Sequence, residues 1–258
     1  MPSITVNGQT VFYAANNEAS SSAPLVLIHG AGGTHLHWPP QLRHMPVAPV
    51  YAPDLPGHGR STGDGFTSID VYRDWLHTFV DRLDLPPFVL AGHSMGGAIA
   101  LDFAITYPAR LVGVGLIGTS SRLRVAPAIL TGIQSDFAAT TEQLVDLMYA
   151  PNANPQTKRL ALQRLRAVDP TMLYNDFSAC NGFDVSARIT EITLPTLIVC
   201  GQLDKMTPLK YSERLHEQLP NSELHSLAGA GHMAMLEQAA ETTELLAGFL
   251  ARFNGPAS

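Results

Sequence analysis

The sequence predicts an α/β fold in which a mostly parallel sheet is covered by helices on both faces. Short continuous apolar runs recur along the chain, as expected for parallel strands that are buried on both sides. Segments with the apolar spacing of helices lie between most of these runs. The chain has 258 residues, of which 45% are hydrophobic and 15% charged. This suits one large α/β domain or two small ones, with ample material for a core.

The individual elements follow from local patterns. Asn7-Gly8, between two short runs of β-forming residues, predicts an N-terminal hairpin. The apolar runs that predict further strands are 24–30, 47–53, 88–91, 111–117, 196–201 and 223–227. Helical patterns cover 68–83, 97–107, 209–219 and 239–253. The short segment 19–22 has the composition of a linker.

The stretch 120–186 departs from this alternation because it contains no convincing strand pattern. It carries several short helical patterns, and we interpret it as a helical insertion packed over one edge of the sheet. The signals for helix starts are Pro127, the capping-box pair Thr140 and Gln143, Asn154-Pro155 and Asp169-Pro170. The predicted organisation is therefore a core in two parts, 1–119 and 187–258, with the insertion 120–186 between them.

Charge and composition narrow the function classes. The net charge of −6, without any run of Lys or Arg, argues against nucleic acid as a partner. No apolar run approaches the length of a membrane span and no early stretch has a leader pattern, so we expect a cytoplasmic protein. The cysteines, Cys180 and Cys200, lie too far apart in the chain to suggest a disulfide framework or a metal site. We expect a monomer or homodimer that acts on a small molecule.

The clearest chemical motif is Gly92-His93-Ser94-Met95-Gly96, which fits the pattern G-x-S-x-G. It would place the serine on a sharp turn between the strand 88–91 and the helix 97–107, with glycines where a Cβ would clash. The N-terminus of the following helix favours negative charge developing at that point. A phosphate-binding loop would need a lysine after the second glycine, and Gly97 is followed by Ala98 instead. The alternative is a structural turn in which the serine has no catalytic role.

A serine nucleophile needs a base and a group that orients the base. His232 is the best candidate base, because it lies in a loop just beyond the strand 223–227, where sites in open α/β folds collect. Asp204 directly follows the preceding strand and can accept the imidazole N–H, which fixes the tautomer of the ring. His93 adjoins Ser94, and its side chain should diverge from the nucleophile.

Three other polar residues are interpreted differently. Asp54 follows an earlier strand and precedes the serine in the chain, so we interpret it as a residue that organises its loop. His35 and His37 lack the spacing of a zinc site and a nearby carboxylate cluster, so we interpret them as surface or pocket-rim histidines. No metal site is predicted.

Four motifs span nearly the whole chain: HGAG at 29–32, DLPGHGRS at 54–61, GHSMGG at 92–97, and Asp204 with Gly231-His232. Together they resemble the α/β-hydrolase superfamily, in particular its small capped, serine carboxylesterase-like members, in which Ser, Asp and His follow in this order. The resemblance implies an α/β-hydrolase fold with an eight-stranded, mostly parallel sheet and a helical cap after the sixth strand, where 120–186 falls. It also implies an oxyanion hole formed by the backbone N–H groups of Ala31 and Met95.

The residue at position 94 also bears on the reaction class. Family members that displace halide or open epoxides carry Asp as nucleophile, so Ser94 indicates acyl transfer to water. The resemblance therefore implies a carboxylesterase-type hydrolase with the catalytic residues Ser94, Asp204 and His232 and without a metal or organic cofactor. The apolar residues expected in its pocket suggest short to medium acyl or aromatic esters as substrates. A C–C bond hydrolase, a lactonase or a perhydrolase can use the same triad. A slow or non-catalytic small-ligand receptor has the same fold.

The substrate pocket is expected between the sheet and the cap. The apolar residues expected to line it are Met95, Trp38, Met206 and Met233 from the core, and Phe137, Leu144, Met148 and Phe177 from the cap. Each of these residues fits an ordinary core position equally well.

Overall fold

The computed structural model describes residues 2–16 and 22–253, so most of the linker-like segment 19–22 lies outside the described residues. These residues form one sheet of eight strands. In chain order the strands are β1 (Ser3–Val6), β2 (Gln9–Asn16), β3 (Leu25–Ile28), β4 (Val50–Pro53), β5 (Phe88–His93), β6 (Leu111–Ile117), β7 (Thr196–Gly201) and β8 (Ser222–Leu227).

The strand order confirms the predicted mostly parallel sheet. Neighbours along the sheet are β1-β2-β4-β3-β5-β6-β7-β8. β1 and β2 form the predicted hairpin and β2 pairs antiparallel with β4, whereas all other pairs are parallel. At the hairpin turn Asn7 and Gly8 have φ values of 49° and 80°, the left-handed conformation that a tight Asn-Gly turn requires.

Helices connect most of the strands. In chain order they are α1 (Pro40–Arg43), α2 (Ile69–Arg82), α3 (Met95–Thr106), α4 (Pro127–Ser135), α5 (Phe137–Met148), α6 (Pro155–Arg166), α7 (Pro170–Gly182), α8 (Leu209–Gln218), α9 (Ala234–Glu237) and α10 (Ala239–Leu250). In the part of the chain that the structure describes, each helix is too short or too polar to cross a membrane.

The central strands are buried on both faces. On β3, Val26 and Ile28 pack into an apolar cluster with α2 and α3, whereas Leu25 and Leu27 pack into a second cluster with α10. All four side chains are fully buried, and each such burial stabilises the fold by about 1.5–3 kcal/mol. Because apolar side chains fill both faces, the polar residues of interest lie on loops at the carboxyl edge of the sheet.

The stretch predicted as an insertion contains four helices, α4 to α7, between β6 and β7. The two segments that connect it to the sheet run side by side. The Leu123 N–H donates to the Phe183 carbonyl (3.3 Å), and the Val185 N–H donates to the Ser121 carbonyl (2.8 Å). The chain therefore leaves and rejoins the core at one place. The division of the core into 1–119 and 187–258 stays a prediction.

Three of the predicted helix starts are confirmed. α4 begins at Pro127, α6 at Pro155 and α7 at Pro170. The Asn154 side chain accepts a hydrogen bond from the Gln156 N–H at 2.8 Å. The Asp169 side chain caps α7 in the same way. Each of these two helices thus combines a side-chain cap with a proline at its first position.

The capping box predicted at Thr140 and Gln143 is wrong. α5 begins at Phe137, and the Asp136 carboxylate caps it by accepting the Ala139 N–H at 3.1 Å. Thr140 lies inside the helix, where its hydroxyl donates to the Asp136 carbonyl at 2.8 Å. Asp is a stronger N-cap than Thr and comes earlier in the chain, so the helix starts one turn before the predicted position.

Candidate active site

Ser94 lies on the turn between β5 and α3. Its backbone has φ 53° and ψ −114°, a conformation that costs a residue with a Cβ about 1–3 kcal/mol. The Ser94 N–H donates to the Ile117 carbonyl on β6 at 3.0 Å, which holds the turn in place. A Cβ at Gly92 would overlap the Gly96 carbonyl group, and one at Gly96 would overlap the Ile28 carbonyl oxygen. Both flanking glycines are therefore required by close backbone approach.

Asp204 and His232, on the loops after β7 and β8, form a buried pair. Asp204 Oδ2 lies 2.8 Å from His232 Nδ1. The other acceptor positions of the carboxylate are filled by the N–H groups of Met206 and Thr207 and by the Thr207 hydroxyl. Burial alone would raise the pKa of Asp204, but His232 and the Thr207 donors outweigh it, and the pKa lies below its usual value. An ionised Asp204 keeps the proton on Nδ1 and leaves Nε2 as the basic atom of His232.

Ser94, His232 and Ala31 all line one small cavity. Its volume is about 30 Å³, enough to hold a water molecule. The hydrogen bonds of residues 2–16 and 22–253 do not include one between Ser94 Oγ and His232. Ser94 and His232 therefore face the same space without a direct hydrogen bond, and the side chains of such pairs often come closer only when a substrate binds.

The His93 side chain contacts the backbone of His232, the candidate base. Its Nε2–H donates to the His232 carbonyl oxygen at 3.0 Å, across 139 positions of the chain. The side chain is buried, and burial together with the nearby His232 lowers the pKa of His93 well below its usual value. A neutral His93 thus holds the backbone of His232. Sequence reasoning excluded His93 as the base but did not find this contact, for which the sequence carries no local signal.

Replacing His93 with glutamine is expected to flatten the pH dependence of stability. The amide can still donate to the His232 carbonyl but does not titrate. With the native histidine, the unfolded chain takes up a proton below about pH 6.5 that the folded protein does not. The free energy of unfolding should therefore fall by about 1.4 kcal/mol per pH unit below that value on account of His93, and not above it.

Urea unfolding of the native protein and of His93→Gln at about pH 7.5 and about pH 5.5 measures this difference. The native protein should lose more stability between the two pH values than the variant. Equal losses would show that His93 is not held neutral in the folded protein.

The two expected oxyanion donors lie on segments that border Ser94. Met95 is the first residue of α3, and the first N–H groups of a helix have no acceptor within it. Ala31 follows β3 and lines the small cavity. Among the hydrogen bonds of the described ranges, none is donated by the N–H of either residue. Both groups are therefore available to a negatively charged oxygen in the cavity.

Asp176 on α7 joins the insertion to the loop after Ala31. It is fully buried and accepts hydrogen bonds from the Gly32 N–H (2.8 Å), His58 Nε2 (2.7 Å) and the Tyr72 hydroxyl (2.7 Å). Burial alone would lower the pKa of His58, but the Asp176 carboxylate outweighs it and raises the pKa. Sequence reasoning missed Asp176, because its partners are 104 to 144 positions away in the chain.

Replacing Asp176 with asparagine is expected to destabilise the fold by about 2–4 kcal/mol. The change removes the negative charge beside His58 and turns one acceptor into a donor. Because Gly32 follows Ala31, loosening its hydrogen bond should also displace the Ala31 N–H and lower kcat more than it changes KM. Urea unfolding and steady-state kinetics measure the two effects.

The matched control for this variant is Asp146→Asn. Asp146 is an exposed carboxylate 3.7 Å from Lys158, and its loss should change stability by less than about 0.5 kcal/mol. If Asp176→Asn were as stable as this control, the buried carboxylate would not hold the three donors together.

The Glu237 carboxylate stabilises the loop that carries His232. Glu237 accepts hydrogen bonds from the N–H groups of Gly231 and Ala150, each at 2.9 Å. Gly231 has no room for a side chain, since a Cβ there would lie 2.5 Å from the Ala150 nitrogen. The candidate base is thereby positioned against the end of α5. The sequence showed the glycine but not the contact that requires it.

A larger cavity of about 200 Å³ lies between Ser94 and the insertion. Of the residues expected to line the pocket, Leu144, Phe177 and Met206 border this cavity, and Met148 borders the small cavity with them. The remaining expected residues lie elsewhere: Trp38, Met95 and Met233 are fully buried in the two apolar clusters, and Phe137 packs at the margin of one of them. Their apolar character is explained by core packing, since neither of these two cavities reaches their side chains.

Asp54 lines neither of these cavities and organises its loop. The Asp54 carboxylate accepts the backbone N–H of His35 (2.7 Å) and of Arg60 (3.1 Å) and also contacts the His35 ring. Cys180, which lines both cavities, and Cys200 are buried free thiols. Within the described ranges, no three His, Cys, Asp or Glu side chains lie in an arrangement that could hold a metal ion.

A strained serine turn, an Asp–His pair on two later loops and a cavity shared by the serine and the histidine are typical of the hydrolases that carry their nucleophile on a strand-to-helix turn. A family model described as the alpha/beta hydrolase family matches residues 25–245. The chain belongs to this family.

Several known proteins are similar over nearly the whole chain. "Putative carbamate hydrolase RutD" of Variovorax paradoxus (strain S110) is 30% identical, over 95% of this chain and 97% of the relative. The 2-hydroxymuconate semialdehyde hydrolase of Pseudomonas sp. (strain CF600) is 29% identical, over 93% of this chain and 91% of the relative. A solved structure of a thermophilic esterase has a TM-score of 0.86 and 31% identity, covering 98% of this chain and 97% of that one.

Proposed function

We propose that the protein hydrolyses carboxylic esters through an acyl-enzyme formed on Ser94. The observation that carries the proposal is that Ser94 and His232 line one cavity while Asp204 binds the far nitrogen of His232. A serine in this position can lose its proton to Nε2 as it attacks a carbonyl carbon. The similarity to a thermophilic esterase supports the same class of substrate.

The reaction would proceed in two halves. Ser94 Oγ attacks the ester carbonyl carbon while His232 Nε2 takes its proton, and the N–H groups of Ala31 and Met95 hold the negative oxygen. His232 then gives the proton to the leaving alcohol as the C–O bond breaks, and the acyl group stays on Ser94. A water molecule repeats these steps with His232 as base and releases the acid. Asp204, whose pKa is lowered, stays ionised and stabilises the imidazolium.

The size of the larger cavity favours small substrates. Its volume of about 200 Å³ is below the about 300–1,000 Å³ of pockets for drug-sized ligands. Most of its wall is apolar, from Ile129, Leu144 and Phe177 among others. An acyl chain of short to medium length or an aromatic alcohol fits this description.

Hydrolysis of a C–C bond is the second candidate, supported by the similarity to the 2-hydroxymuconate semialdehyde hydrolase. In that case Ser94 would attack a ketone carbonyl, and the leaving group would be a stabilised carbanion that takes a proton. Lactone hydrolysis and perhydrolysis also use the same three residues. A small-ligand receptor of this fold would bind in the cavity without turnover.

A substrate panel separates these candidates. It contains 4-nitrophenyl esters from acetate to octanoate, a lactone, a vinylogous diketone and a carbamate. We expect the shorter esters to have the highest kcat/KM, and a 4-nitrophenyl phosphonate to modify Ser94, detected by mass spectrometry of its peptide. A clear preference for the diketone would replace the ester proposal with C–C hydrolysis. No turnover together with tight binding of one compound would indicate a receptor.

A further inference from the structure

A third cavity adjoins the larger of the two cavities that Ser94 lines, and most of its charged side chains are cationic. It has a volume of about 540 Å³. The charged side chains that line it are four cations, Arg122, Arg124, Lys205 and Arg214, and one acid, Asp184. The five residues that line both cavities are Leu123, Arg124, Lys205, Met206 and Thr207. The two cavities therefore meet at a common wall that contains two of the four cations.

Most of these cations form no salt bridge with an acidic side chain of the described residues. Arg122 is paired with Asp184 at 3.0 Å. Arg124, Lys205 and Arg214 are exposed and form no salt bridge within residues 2–16 and 22–253. The whole chain carries a net charge of −6, so three unpaired cations in one concavity run against its overall charge. Such a cleft raises the local concentration of anions near the candidate nucleophile.

The lining of the larger cavity combines apolar and cationic groups. The side chains of Ile129, Leu144 and Phe177 make part of it apolar. Arg124 and Lys205 line the same cavity and also belong to the wall shared with the cationic cavity. A neutral ester would offer no ionic partner to Arg124 and Lys205, whereas an anionic group would form charge-assisted hydrogen bonds with them.

We propose that the substrate is an ester that carries an anionic group, a carboxylate or a phosphate, bound by Arg124 and Lys205 at the wall between the two cavities. This inference rests on the proposed ester hydrolase function. It adds a charged recognition site to the apolar pocket, on the acyl or the alcohol side of the scissile bond.

The test compares charged esters with neutral twins of nearly the same shape. For the acyl side, the pair is mono-4-nitrophenyl glutarate and 4-nitrophenyl methyl glutarate. For the alcohol side, the pairs are 4-carboxyphenyl butyrate with its methyl ester, and 4-phosphonooxyphenyl butyrate with its dimethyl ester. We expect kcat/KM for at least one charged ester to exceed that of its neutral twin by about fivefold or more. The responding pair identifies the anion and the side that carries it.

Two further measurements tie such a preference to these residues. In the double variant Arg124→Gln/Lys205→Gln, the ratio of kcat/KM for the charged ester to that for its twin should fall by about fivefold or more. The matched control Arg82→Gln/Arg159→Gln removes two exposed cations that line neither cavity, and its ratio should equal that of the native protein. In the native protein, added salt of about 1 M, where the Debye length is about 3 Å, should also reduce the ratio.

The outcomes separate this inference from the function on which it rests. Turnover of the neutral twins with no preference for any charged ester would overturn the anionic-substrate inference and leave the ester hydrolase intact. A preference that persists in the double variant and at high salt would also overturn it. Failure to turn over any of the six esters would overturn the proposed function itself.

Discussion

Replacing Ser94 with alanine is expected to lower kcat for ester hydrolysis by about a million-fold, because the change removes the oxygen that would form the proposed acyl-enzyme. The oxyanion donors and the cavity stay in place, so a small residual rate above that of water should remain. The fold should be unaffected. Alanine also has a Cβ and meets the same backbone strain at φ 53°, and the described hydrogen bonds include none from Ser94 Oγ that would be lost.

The measurement is the release of 4-nitrophenol by purified native protein and variant, with circular dichroism to check the fold. The matched control is Ser135→Ala, which removes an exposed hydroxyl at the end of α4 that donates to the Thr131 carbonyl. Its activity should stay within about twofold of the native value. If Ser94→Ala kept a tenth or more of the native rate, the nucleophile would have to be another group.

The second large effect is expected for Asp204→Asn, which should lower kcat by about ten-thousand-fold with a small change in KM. The asparagine oxygen would accept the N–H groups of Met206 and Thr207, as the Asp204 Oδ1 does in the native protein. The amide nitrogen would then donate to His232 Nδ1. This forces the proton onto Nε2, so that His232 can no longer accept the proton of Ser94.

The pH dependence gives a further check on this assignment. Because the pKa of Asp204 lies below its usual value, the carboxylate stays ionised from neutral pH down through the range where histidines titrate. Its contribution to stability is present above the ordinary carboxyl pKa and is lost only as pH falls through the lowered value. Loss of activity on mild acidification should therefore not arise from protonation of Asp204. An activity profile that followed a carboxyl titration near pH 4 would contradict this.

A control variant distinguishes the loss of the correct His232 tautomer from a disturbance of the loop that carries Asp204. In Thr207→Val the carboxylate is intact and only the hydroxyl that donates to Asp204 Oδ2 at 2.9 Å is lost. The correct tautomer is kept, so kcat should fall by only about tenfold. A loss as large as that of Asp204→Asn would mean that both changes act by disturbing the loop.

The elements of the fold that could be predicted are those with local signals. The run of apolar residues before Ser94 and the glycines on either side of it define both the strand and the turn. Asp204 and His232 could be proposed because each follows its own strand, and parallel strands bring their carboxyl ends to one edge of a sheet. The start of α5 was predicted wrongly because two capping signals compete, and Asp136 is the stronger one.

The sequence by itself determined the α/β fold, the helical character of 120–186, and the position of Ser94 on a turn that only a glycine-flanked residue can form. Only the tertiary structure decided what surrounds Ser94. Asp176 holds Gly32 and His58, His93 holds the His232 carbonyl, and cations from separate segments meet beside the cavity. The physical reason is distance along the chain. These contacts form only when segments far apart in the chain pack together, and no local pattern of residues encodes which side chains will then meet.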